Sequence, residues 1–179
     1  MVGVFMKRNA WFILVISSLI LLFNFSACSQ TPEKNDIISI TDETDPINYL
    51  ESKGYTILSS LEKLPSKTIS KDDLKGSFPN GLIWSVQSFE PEMIIGKKVD
   101  YYCVNIKNHP LDKYIKYDDE SIKITIFLSD DKIIGGFSSV NYKELMVGAI
   151  IYSIDGKTLE EFTGQDFQTW RKNWDTKYK

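Results

Sequence analysis

The feature that most restricts the fold lies between Ile122 and Leu128. Ile122, Ile124, Ile126 and Leu128 alternate there with Lys123, Thr125 and Phe127. A period of two marks a strand that lays one face on a core. Ser129-Asp130-Asp131 follows, and Lys132 to Val140 resumes an apolar run, so the two segments are expected to form a hairpin. From Val99 to Lys107, Tyr102, Val104 and Ile106 share a face opposite Tyr101, Cys103 and Asn105. A further strand is expected from Val147 to Ser153. Strands linked in this way build an antiparallel sheet whose apolar side needs a covering layer.

Two helices supply that layer. Asp45 is an N-cap, Pro46 takes the first helical position and Gly54 ends the helix; a strand from Tyr55 to Leu58 follows directly. At the other end, Phe167, Trp170, Trp174 and Tyr178 are spaced three, four and four residues apart and fall on one helical face. Such a stripe docks a helix on a sheet; its functional alternative is an aromatic platform for sugar or peptide, and packing is the favoured reading. Thr158 to Phe162 reads as a capped turn ended by Gly164, with the last helix opening at Thr163 or Gln165. Residues 60–81 read mainly as turns, with Ser70-Lys71-Asp72-Asp73 capping a short helix through Leu74. Leu82 to Phe89 reads as a strand, although Leu82, Ile83, Val86 and Phe89 also fit a helix. The expected class is α+β: one domain over 37–179, an antiparallel β-sheet packed by an N-terminal helix and a C-terminal aromatic-faced helix.

The N-terminus sets the compartment. Lys7 and Arg8 precede an apolar run from Trp11 to Phe23, which closes on Phe25-Ser26-Ala27-Cys28. A basic start, an apolar middle and small residues before a cut site define a secretory signal. The cysteine after the small pair makes it resemble a bacterial lipoprotein signal, with Cys28 lipidated and first in the mature chain. Phe25 stands where leucine is usual. The alternative is an uncleaved anchor, since about 20 apolar residues span a bilayer. Both readings export the remainder, because the basic residues stay on the cytoplasmic side. Translation from Met6 instead of Met1 would remove the unusual leading residues. The expected organisation is therefore a signal over 1–27, a polar tether over 28–36 and the domain beyond it. Ile37-Ile38-Ser39-Ile40 is a short β-type run at that junction.

Cleavage before Cys28 removes two bases and no acid. The mature 152 residues then hold 19 bases and 24 acids, a net charge of −5. That balance argues against nucleic acid, which requires a basic face. It also gives no electrostatic reason to lie on anionic lipid, so membrane attachment rests on the lipid anchor. The size suits one domain. With Cys28 acylated, Cys103 has no intramolecular disulfide partner, and a lone cysteine in a strand-like run reads as buried and inert.

Catalytic constellations are scarce. His109 is the single histidine, in Asn108-His109-Pro110-Leu111-Asp112. One histidine does not make a zinc site of the usual kind without cysteine help, and nothing in the spacing aligns Cys103 with His109 as nucleophile and base. Asp118-Asp119-Glu120 and Asp130-Asp131 sit at loop positions without the alternating acids and glycine of a calcium loop. No phosphate-cradling glycine loop, Gly-x-Ser-x-Gly elbow or Cys-x-x-Cys occurs. No cofactor and no metal site are expected. Gly135-Gly136 inside a strand signals a bulge or a close approach by another backbone or a ligand. If a binding site exists, it is expected near Asn108 and His109 and the Gly135-Gly136 strand.

Trp84-Ser85-Val86-Gln87, Ile95-Gly96-Lys97, Asn108-His109-Pro110-Leu111-Asp112, Lys132-Ile133-Ile134-Gly135-Gly136 and Tyr152-Ser153-Ile154-Asp155-Gly156-Lys157-Thr158-Leu159-Glu160 occur in that order. Together they resemble a family of small, uncharacterised lipoproteins and exported proteins of Gram-positive bacteria that carry a domain of unknown function. The resemblance covers about residues 45 to 175. It implies a surface or membrane location and supplies no activity and no site residues. The expected function is a membrane-anchored, non-catalytic binding or regulatory module with an envelope protein partner. The alternative is a cell-envelope hydrolase using acids such as Asp118, Asp119 or Glu120.

Overall fold

The computed structural model describes residues 44–142 and 150–179. The expectations for the signal, Cys28, the tether and the Ile37–Ile40 run lie outside the described residues, as does the Val147 end of the last expected strand.

Among the described residues the fold is α+β, an antiparallel six-stranded sheet with four α-helices. Helix α1 is Pro46–Ser52, with Asp45 accepting from the Ile47 amide at 2.8 Å. Strands β1 (Thr56–Ile57) and β2 (Glu62–Thr68) both pair with β3 (Lys98–Lys107) along one edge. Strand β4 (Ser121–Ser129) lies between β3 and β5 (Lys132–Asn141), and β6 (Tyr152–Ser153) pairs with β5. Asp130 (φ 51°) and Asp131 (φ 59°) turn the β4–β5 hairpin, both in the left-handed region that suits the strand twist.

Strand β2 departs from expectation, since its stretch reads as turns. Its pattern is almost wholly exposed, so it carries no apolar alternation. It exists because Glu62 pairs with Cys103 and Leu64 with Tyr101, while the register shifts between Leu64 and Lys67, the interval that holds Pro65. Proline is tolerated there because a sheet edge with a bulge needs no donor at that position.

The segment 82–89 is also corrected. It is helix α2 (Leu82–Ser85) running into a turn, not a strand. A π-type turn over Ser77–Gly81, with a cis Phe78–Pro79 bond, leads into it. The last expected strand shrinks to Tyr152–Ser153 within the described residues.

Both faces of the sheet are buried, and each has its own core. Val104, Ile106, Ile122, Ile124 and Ile126 meet Leu50 of α1, Leu111 and Tyr152 on one side. On the other, Phe127, Val99 and Ile134 meet Leu74, Trp84, Trp170 and Trp174. The period-two pattern therefore shows only half of β4. Phe127, on its more polar side, is fully buried and centres the second core.

The second core is closed by helices α3 (Leu159–Thr163) and α4 (Phe167–Lys177). Thr158 and Glu161 form the capping box of α3, and Gly164 ends it at φ 69°. Asp166 caps α4, rather than Thr163 or Gln165, by accepting from the Gln168 and Thr169 amides. The aromatic stripe docks as expected. Trp170 and Trp174 are buried, and their indole N–H groups donate to Ser85 Oγ and the Leu74 carbonyl, each at 2.9 Å.

Candidate functional site

The expected residues fall in two neighbouring places. His109 caps the 3-10 turn Pro110–Tyr114 and is 4% exposed. Its Nδ1 accepts from the Leu111 amide at 3.2 Å, which leaves the proton on Nε2 to donate to the Ile154 carbonyl at 3.0 Å. Burial is the main cause that holds its pKa below the usual histidine value, against the Ile154 bond and the charges of Asp112 and Asp155. The ring also packs on Tyr55 at 4.9 Å. A Cβ at Gly156 would sit 3.0 Å from His109 Cε1, and φ there is 79°, so glycine suits that turn on both counts. Asn108 turns the chain at φ 63°; its amide donates to Asp112 Oδ2 and its side chain to Thr56 Oγ1, each at 2.8 Å. These residues tie the β3–β4 connection to β1 and to the turn after β6.

Gly135 and Gly136 lie where β6 leaves the sheet. Strand β6 pairs with β5 only at Phe137 and Ser138. One step further, the vacant edge is filled by a side chain. Gln87 Oε1 accepts from the Gly136 amide at 2.9 Å, and its Nε2 donates to the Gly136 carbonyl at 3.0 Å. The same Nε2 donates to the Ile83 carbonyl at 2.6 Å. A primary amide is a peptide group in miniature, so Gln87 makes both ladder bonds that a neighbouring strand would make. A Cβ at Gly135 would overlap Gln87 Oε1, and one at Gly136 would overlap the Thr125 carbonyl. The glycine pair is thus a close approach, made by a side chain on one side and a strand on the other. Gln87 itself was not singled out from the sequence; a polar residue inside an apolar run is the signal that marks it.

A cleft of about 310 Å³ runs along this edge, between Gly135-Gly136 and Ile154-Asp155, with Tyr49 and Lys53 of α1 at its rim. Gly135 and Gly136 line it. His109 and Asn108 do not; His109 stands behind the wall and fixes Ile154. Lys53 Nζ bonds Asp155 Oδ1 at 2.8 Å, and the Tyr55 hydroxyl donates to the same oxygen at 3.3 Å. Burial would lower the Lys53 pKa, but Asp155 and Tyr49 outweigh it and raise the value. Burial, then the Asp155 charge, pushes Tyr55 well above the ordinary tyrosine range. These groups are committed to one another through Asp155.

The other candidates are accounted for individually. Glu120 is buried and its carboxylate accepts from the Lys116 and Tyr117 amides at 2.7 and 3.2 Å, closing its own loop. Asp118 and Asp119 are exposed. Cys103 is buried and donates to Glu62 Oε2 at 3.5 Å; burial first, then Glu62, raises its pKa. Among the described residues no group of three or more His, Cys, Asp or Glu side chains is placed to hold a metal ion. None of the described helices is long and apolar enough to cross a membrane. Comparison of the chain with protein-family models, curated proteins and solved structures finds no match.

Proposed function

We propose that this chain is a lipid-anchored module at the outer face of the cytoplasmic membrane, which binds or regulates an envelope partner without catalysing a reaction. The observation that carries this reading is the N-terminal pattern of Lys7-Arg8, the apolar run and Ser26-Ala27-Cys28. The resemblance to small exported lipoproteins points the same way. So does the chemistry of the domain, whose histidine, buried acid and cysteine are each engaged in holding a turn, a loop or a strand. Carboxylate catalysis would need two acids facing across a pocket, whereas Asp118 and Asp119 are exposed and Glu120 serves its loop.

Membrane fractionation of wild type and Cys28→Ala, with intact mass of the extracted protein, tests the reading. A mature species beginning at a lipid-bearing Cys28, and absent from the variant, is expected. An unprocessed full-length chain in both would overturn it, leaving Cys28 an ordinary residue behind a transmembrane anchor.

A further inference from the structure

Antiparallel strands exchange hydrogen bonds at every second residue along an edge. On the outer edge of β5 the Gln87 bonds mark Gly136 as one such position, and the register of the sheet gives the next. Gly136 stands opposite Ile126 of β4, and Ile133 stands opposite Leu128, two residues further along β4. The register shift between Phe127 and Leu128 absorbs the extra residue of β5. Ile133 therefore turns its N–H and C=O away from β4, as Gly136 does. Among the described residues β6 is the strand that pairs on this side, and it reaches no further than Phe137.

The cleft of about 310 Å³ begins where that pairing ends. Strand β6 diverges through Ser153, Ile154 and Asp155, which form one wall, while Ile133 to Gly136 form the other. Val86, Ile134 and Phe162 add apolar surface. The volume lies at the small end of the range for ligand clefts, about 300–1,000 Å³, and suits two or three residues of an extended chain. The group already seated at this edge shows which chemistry it accepts. The Gln87 primary amide is the equivalent of a peptide group, and it makes the acceptor and donor bonds of a ladder at 2.9 and 3.0 Å.

We propose that this cleft binds an extended peptide segment of a partner protein, which continues the line of β6 by pairing with β5 at Ile133, end to end with the Gln87 amide. Main-chain bonds of this kind give affinity, and alternate side chains seated in the walls give selectivity. The edge sets the class of ligand, since neither a sugar nor a lipid chain offers N–H and C=O groups in alternation. This assignment rests on the reading of the chain as a binding module and not on the lipid anchor, so an unprocessed Cys28 would leave it intact.

The test uses the full chain, isotope-labelled and held in a maltoside detergent, with acetyl-Thr-Val-Thr-Val-Thr-amide as a strand-forming probe. A copy of the probe N-methylated at its central residues keeps the side chains and loses the donors. The readout is the shift of the Ile133, Gly135 and Gly136 amide resonances on titration. The parent peptide is expected to shift them and to bind about tenfold more tightly than its methylated copy. Gln87→Ala vacates the position at Gly136, so the peptide should gain a second ladder position and bind several-fold more tightly, an effect that a merely structural glutamine would not give. If that variant fails to fold, as its melting curve would show, the comparison of the two peptides on wild type decides. Equal binding of the two peptides would reduce the cleft to an apolar surface. No shift in wild type, or an unaltered affinity in folded Gln87→Ala, would equally overturn the proposal. So would concentration-dependent shifts of the same amides without peptide, which would assign the edge to a second copy of this chain.

Discussion

Truncating Gln87 isolates the side chain that completes the sheet. Gln87→Ala removes three hydrogen bonds, two to the Gly136 peptide and one to Ile83. Each contributes about 1 kcal/mol net, and a buried donor or acceptor left without a partner costs about 1–3 kcal/mol. Water in the adjoining cleft can reach part of this edge, so a loss of about 3 kcal/mol is expected. For a domain of this size that lowers Tm by roughly 10 °C. Gly135→Ala should destabilise through the same atom, because its methyl would overlap Gln87 Oε1 and displace it from the Gly136 amide. The two changes therefore should not add. In the Gln87→Ala background the space beside residue 135 is open, and Gly135→Ala should then cost about 2 kcal/mol less than in wild type. Gly136→Ala is the control. Its methyl meets the Thr125 carbonyl of β4, so its cost should be the same in both backgrounds. Urea denaturation followed by tryptophan fluorescence gives all the required values. Additive costs for Gln87→Ala and Gly135→Ala would refute the account of the glycine pair.

Two further outcomes follow from particular contacts. Since the folded-state pKa of His109 is depressed, the unfolded chain binds the proton more readily; stability should be intact above pH of about 6.5 and decline as pH falls towards the folded value. The charged ring would also turn an Nδ1 proton against the Leu111 amide, and a urea midpoint flat between pH 7.5 and 5 in wild type, or unchanged in slope in His109→Gln, would contradict this. Trp174→Phe keeps a large ring in the second core but removes the donor to the Leu74 carbonyl, a buried bond, so a loss of about 1–2 kcal/mol is expected by denaturant titration; no loss would mean that packing alone seats the helix.

Much of the fold was legible because periodicity records burial. The Ile122–Leu128 alternation, the aromatic spacing of α4 and the capping signals at Asp45, Ser70 and Thr158 each carry a local physical cause, and each element formed. The failures have causes too. Strand β2 is exposed on both faces, so burial left no mark on it, and only its pairing with β3 creates it. Leu82 to Phe89 satisfies both periods over a short span, and contact with Trp170 through Ser85 and with Gly136 through Gln87 goes with the helix.

The same division holds for function. The sequence by itself determined an α+β sheet domain, an acidic balance and a basic-then-apolar N-terminal pattern that closes on Ser26-Ala27-Cys28, because each is written in consecutive residues. Tertiary structure alone decided that Gln87 serves as the missing strand beside Gly136. It alone decided that His109 is a bracket on Ile154, and that the rings of Trp84, Tyr101 and Phe137 pack around Phe127 in the second core. Gln87 and Gly136 are 49 residues apart in the chain, and His109 and Ile154 are 45 apart. No local pattern encodes which side chains a sheet twist and a docked helix will bring together.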